Sequence, residues 1–247
     1  MEREMQSTSI TIGKPPTEMH GVKKQGEVEL HNQATGGEGE RTLNANLWLP
    51  QAAKHYQISP DLSDYILVPV PSLISDLPNT NGDSVTTEEL MRFQPDQGQL
   101  AYETWRGKPT FVEHDNKDIT KAKGVILDVY LRKLRKFRGN HVKVIKLLAF
   151  DRTKDSVLCN GILNRQVNTY SLGMNFGMYQ CSYCGNYHGM NHGSPCLHTR
   201  PRKKTYRIGN DLVYRKCMNI IGFETSAVAD PAYTICNSDI IMNPGGL

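Results

Sequence analysis

The stretch KGVILDVYLRKLRKFRGNHVKVIKLLAF at residues 123–150 decides the fold. Val125, Leu127, Val129 and Leu131 recur at every second position, as do Val142 and Val144, and a period of two belongs to a strand with one buried face. Arg138-Gly139-Asn140 separates the two runs, so the spacing predicts a single long β-hairpin. Its tip is basic, through Arg132, Lys133, Arg135, Lys136, Arg138, Lys143 and Lys146. A solvated hairpin explains that charge most simply; contact with an acidic partner is the alternative.

On the N-terminal side, YILVPVPSLI at 65–74 has the β-branched composition of a strand, and Asn79–Asp83 has that of a loop. Thr86 with Glu89 three residues on marks a helix start, which Pro95 and Gly98 should end. On the C-terminal side, Val157, Leu158, Ile162 and Leu163 form the apolar stripe of a short helix within 155–165. Val167–Met178 and Leu212–Ser226 then read as strands, closed by the turn Asp230-Pro231-Ala232. The expected class is α+β, with residues 1–60 as an N-terminal arm of open role, a main domain from 61–179 and 205–240, and a small insert at 180–204.

With 247 residues, 38% hydrophobic and 22% charged, the chain can bury a core, and disordered and collagen-like classes are excluded. No run of about 18 apolar residues is present, so no membrane helix is expected. The N-terminus MEREMQSTSITIG lacks the apolar core of a signal peptide, and a protein retained in the cytoplasm is expected. Lys plus Arg exceeds Asp plus Glu by 29 to 25, too small an excess to imply nucleic-acid binding by itself. A reducing compartment and uneven spacing argue against reading the 6 cysteines as a disulfide framework.

Three of those cysteines cluster. Cys181-x-x-Cys184 followed by Cys196-x-His198 supplies four ligands for a tetrahedral metal, expected to be one structural Zn²⁺ per chain. His188 and His192 are alternative fourth ligands, and reduced thiols or redox chemistry are the alternatives to metal. Residues 181–198 contain no H-E-x-x-H or H-x-E pattern, so a catalytic zinc is not expected.

His114 ends a short β-prone run, Ser171 sits in a strand, and Glu224 sits in another. A base, a nucleophile and a carboxylate on separate β elements are the parts of a serine-hydrolase triad, although any chain of this size offers many such trios. No G-x-S-x-G elbow is present, which excludes the usual α/β-hydrolase form.

The ordered motifs narrow the choice. Trp105-x-Gly-Lys-Pro-Thr-x-x-Glu-His114-Asp-Asn, Lys121-x-Lys-Gly-Val-Ile-Leu-Asp128, Thr169-Tyr-Ser171-Leu-Gly-Met and Phe223-Glu-Thr-Ser-x-Val-x-Asp-Pro-Ala232 together resemble the prohead (capsid maturation) proteases of tailed phages, over roughly residues 62–235. These enzymes are similar in fold to the herpesvirus assemblins, so the resemblance implies a β-barrel core wrapped by helices. It also implies a serine endopeptidase with Ser171 as nucleophile, His114 as general base and Glu224 as third member. The implied substrates are phage scaffold or core proteins and the major capsid protein, with self-cleavage, inside the assembling prohead in the host bacterial cytoplasm. No membrane or nucleic-acid partner is implied, and oligomerisation is left open. Assemblins use a second histidine as third member, whereas no histidine follows His198 here. The insert is similar to one found in some large-phage members.

The competing expectation is a non-enzymatic zinc-ribbon protein that binds nucleic acid or protein. Arg200, Arg202, Lys203 and Lys204 and the basic hairpin would form its contact surface.

Overall fold

The computed structural model describes residues 48–134, 141–189, 195–199 and 205–233, with the backbone of a strand pair at 29–31 and 40–42. That pair is β1 (Glu29–His31) with β2 (Glu40–Thr42), antiparallel. Helix α1 (Leu49–Tyr56) opens with Pro50 in its first turn and closes on Gln57 in the left-handed region. It lays Leu49, Ala53 and Tyr56 into the core. Helix α1, which falls within the span expected as an arm, is thus part of the packed fold.

Strand β3 (Tyr65–Ile74) matches the expected run; β4 (Asp83–Val85) and the one-turn helix α2 (Thr87–Leu90) follow, the latter capped by Thr86 Oγ1 accepting from Glu89 N at 3.1 Å. Two short strands, β5 (Phe93–Gln94) and β6 (Gln99–Leu100), lead through a 3-10 turn at Ala101–Trp105 to β7 (Pro109–Val112). The predicted hairpin is β8 (Gly124–Lys133) with β9 (Val142–Asp151). Its tip at Arg135, Lys136 and Arg138 lies outside the described residues. Helix α3 (Ser156–Leu163), capped by Asp155, buries Leu158 and Ile162 and exposes Val157. Strand β10 (Tyr170–Cys181) precedes β11 (Tyr187–Gly189), β12 (Tyr206–Ile208), β13 (Asp211–Val213) and β14 (Arg215–Ala227).

The main sheet has 8 strands in the order β11-β10-β14-β7-β8-β9-β3, with β4 added to β14. It is mixed: β7 and β4 run parallel to β14 and the other pairs are antiparallel. The fold is α+β, as expected, but the barrel is not: among the described residues β11 and β3 end the path without pairing, and the helices are short. Edge strand β3 carries Pro69 and Pro71, which would remove ladder bonds from a central strand, and a register shift between Pro71 and Leu73.

Apolar side chains cover both faces of the sheet. One cluster gathers Trp105, Tyr102, Phe150, Tyr170 and Ile162; the other gathers α1 with Leu67, Phe111 and Leu147. The alternating set Val125, Leu127, Val129, Leu131 does not share one face. A β-bulge between Ile126 and Asp128 inserts Leu127, so Val125 and Leu127 join the α1 cluster while Val129 and Leu131 join the other.

Candidate active site and metal centre

Ser171 is the second residue of β10, because the strand expected to begin at Val167 begins at Tyr170. It pairs with Ser226 of β14, and Gly173 pairs with Glu224. Period-two alternation puts Ser171, Gly173, Glu224 and Ser226 on one face of this strand pair. Immediately beyond, the register shifts so that Met174 meets Gly222 and Phe223 is the extra residue. Bulges of this kind re-aim side chains beside functional sites.

His114 reaches that face from the turn after β7. Strand β7 stops at Val112, and Glu113 and His114 both adopt left-handed backbone, with φ of 49° and 56°. For residues with a Cβ this conformation costs about 1–2 kcal/mol each and persists only where the surroundings enforce it. Here Glu113 N donates to Ala227 O at 2.9 Å and Glu113 Oε1 accepts from Ala229 N at 2.7 Å, clasping the turn to the end of β14. Asp115 N donates back to Val112 O at 3.0 Å.

The turn aims His114 Nδ1 at Glu224 Oε1, 2.8 Å away. Glu224 is buried, with 1% of its side chain exposed, whereas His114 is 42% exposed. The Glu224 hydrogen bond, helped by the charges of Glu224 and Glu113, raises the His114 pKa against the opposing effect of burial. Glu224 Oε2 accepts a second hydrogen bond, from Ser226 Oγ at 2.5 Å. The carboxylate passes over Gly173 so closely that a Cβ there would collide with Oε1.

The resemblance implies Glu224, rather than the sequence neighbours Glu113 or Asp115, as the partner of His114, and a strand through 113–115 would turn both neighbours to the opposite face from the histidine. The pairing is observed, but the strand is not: Glu113 is held by Ala229 N, and Asp115 turns outward to Lys121 Nζ at 2.7 Å. No hydrogen bond joins His114 to Ser171 among the described residues. Ser226 was missed, although the order Glu-Thr-Ser at 224–226 already places two polar groups on one strand face.

Behind the site, Trp105 Nε1 donates to Gly173 O at 2.9 Å, and its ring fills the space that a side chain at Gly222 would need. Lys146, fully buried, donates to Thr225 Oγ1 at 2.9 Å and lies 4.1 Å from the centre of the Trp105 ring.

At the other end of β10 and β14, ligand atoms of Cys181, Cys184, Cys196 and His198 all lie within 4.8 Å of one another. Gly185, at φ 72°, turns the knuckle so that its N–H reaches Cys181 O at 3.0 Å. Burial pushes the Cys181 thiol up; it would also raise Cys196, but the Thr199 hydroxyl and N–H, His198 and Cys184 outweigh it and hold Cys196 well below the ordinary thiol range. The Nδ1 atoms of His188 and His198 are both buried without a hydrogen-bond partner among the described residues, and of the two histidines it is His198 that offers a ring nitrogen to the cluster. His188 is instead engaged as acceptor from Cys196 N at 3.4 Å, and His192 lies outside the described residues. The four residues can therefore bind a metal ion.

Comparison with protein-family models, curated proteins and solved structures finds no match to this chain. No described helix is long and apolar enough to cross a membrane. Arg200, Arg202, Lys203 and Lys204, on which the nucleic-acid alternative depends, lie outside the described residues.

Proposed function

We propose that the protein is a serine endopeptidase of the prohead maturation type, cleaving scaffold or core and capsid proteins during phage assembly. The observation that carries this reading is the 2.8 Å contact between His114 Nδ1 and a buried Glu224, on the strand paired with that of Ser171. Motif order supplies the substrate class.

With Glu224 ionised, Nδ1 is the protonated nitrogen and Nε2 keeps its lone pair. Ser171 Oγ attacks the scissile carbonyl carbon as its proton passes to Nε2. The imidazolium, stabilised by Glu224, returns that proton to the departing amine. Water then hydrolyses the acyl-enzyme with His114 again as base. Bonds between nucleophile and base are often long without substrate and tighten in the Michaelis complex, in keeping with the separate His114 and Ser171 side chains.

The metal centre is read as one structural Zn²⁺ held by Cys181, Cys184, Cys196 and His198. These three cysteines and one histidine would hold the ion, which would shape the insert rather than supply hydrolytic chemistry. Metal analysis of protein never exposed to chelator should return one zinc per chain.

Incubation with a fluorophosphonate should label Ser171, identified by peptide mass. Ser171→Ala and His114→Ala should each abolish scaffold cleavage, by about 10⁴- to 10⁶-fold, with the double variant little worse. Cleavage surviving in Ser171→Ala refutes the reading.

A further inference from the structure

Resting on the triad reading above, we infer that Ser226 is the positioning residue of the site, its hydroxyl fixing which Glu224 oxygen faces His114. A carboxylate offers about four acceptor positions, and a buried one needs donors at both oxygens. His114 Nδ1 occupies Oε1 and Ser226 Oγ occupies Oε2, the latter at the 2.5 Å typical of a hydroxyl on a charged oxygen. Ser226 is wholly buried and its single proton is committed to the carboxylate, so it is not a second nucleophile.

Strand geometry makes the arrangement specific. Ser226 stands directly across from Ser171 in register, while Glu224 stands across from Gly173, whose missing side chain leaves the space the carboxylate crosses. Thr225, between them, is tied from the opposite face by Lys146 Nζ, and its own hydroxyl donates to Glu224 O at 3.0 Å. The backbone of 224–226 is thus held, and the remaining freedom is rotation of the Glu224 side chain. Ser226 removes it. The charged groups around the pair are Glu113, bonded to Ala229 N in the His114 turn, and Lys146, on the other face of β14.

The test compares Ser226→Ala and Ser226→Thr with the full-length protein, following the His114 imidazole by NMR across pH and the fluorophosphonate labelling rate of Ser171. In Ser226→Ala the carboxylate turns away, so the His114 midpoint should fall toward that of Glu224→Gln, and labelling should slow about 10- to 100-fold, the usual cost of losing a group that orients a functional residue. Ser226→Thr, which keeps the hydroxyl, should restore both. An unchanged midpoint and rate in Ser226→Ala overturn the proposal, as does a Ser226→Thr variant no better than alanine. Should the alanine variant fail to fold, the wild-type Ser226 hydroxyl proton still decides. Shielded from water, it should exchange slowly and lose that protection in Glu224→Gln, and fast exchange in wild type overturns the inference. Absence of Ser171 labelling in wild type would defeat the protease reading alone, because the His114 titration needs no catalysis.

Discussion

The two ends of the β10–β14 ladder are stabilised by different means. At the Ser171 end the strands lie on Tyr170, Ala227 and the Trp105 cluster, with Trp105 bonded to Gly173 O and Lys146 to Thr225. Ser171 and Cys181 are separated by ten positions on β10, about 33 Å at the ~3.3 Å rise of a strand. At the Cys181 end the strands meet the three-residue β11 and the short β12–β13 hairpin, with Cys184, Tyr187 and Leu197 exposed. One end packs against large aromatic side chains; the other buries the smaller set Tyr179, Cys181, His188, Val213 and Cys217 beside the Cys/His cluster. The His114–Glu224 pair stands at the end packed against the Trp105 cluster, and the Cys/His cluster that could bind a metal ion stands at the other.

The sharpest way to break this contrast is at Glu224. Glu224→Gln should leave the protein folded but slow cleavage by up to about 10⁴-fold, as for triad aspartates. Asp115→Asn should do nothing comparable, because its partner Lys121 and Asp115 itself are more than half exposed, at 53% and 55%. An equal loss from Asp115→Asn would mean the wrong acid.

Gly173→Ala tests packing at the same end. The new methyl would meet Glu224 Oε1 and the Phe223 ring, displacing the carboxylate, and a misplacement of about 1 Å costs around 10²-fold in rate. Wild-type activity in a folded Gly173→Ala protein would show that the carboxylate has room to spare.

Metal removal probes the other end. Chelation, or Cys184→Ser, should lower the melting temperature and strip hydrogen-exchange protection from 181–189, 195–199 and 206–213, while the amides of 222–227 and the Ser171 labelling rate change little. Equal loss of protection at both ends would dissolve the contrast.

The smallest effect is electrostatic. If His114 is the base of a protease, its raised pKa should place the acid limb of the pH–rate profile above about 6.5, with activity growing as pH rises through that midpoint and frees the base. For stability the sign is opposite: the His114–Glu224 pair contributes fully below the unfolded pKa of about 6.5, and that contribution is lost as pH rises through the folded value. Glu224→Gln should move the kinetic midpoint down; a midpoint at or below 6.5 in wild type contradicts the pairing.

Local signals in the sequence were legible. The span 65–74, the Thr86 cap and the β8–β9 hairpin follow from composition and spacing, and the Cys/His ligand set from its short separations. What depended on non-local geometry was not. Leu127 reads as part of an unbroken alternation, and only pairing with β9 reveals the inserted residue that sends Val129 and Leu131 to the other face. The left-handed turn at Glu113 and His114 is likewise invisible, since neither residue favours positive φ and the conformation is imposed by Ala227 and Ala229 far along the chain. The open sheet follows from the same gap: strand composition carries no information about whether the first and last strands meet.

An open sheet has a margin, and a margin can recruit. In a crowded compartment a row of unclaimed amides invites a second copy to zip alongside, the first step toward fibrils. Pro69 and Pro71 withhold donors from the outermost strand, and the irregularity at Ser72 bends what remains out of line. Replacing both prolines with threonine would offer a straight, fully armed border, and the expected consequence is self-association that grows with concentration while the monomer's own architecture stays intact.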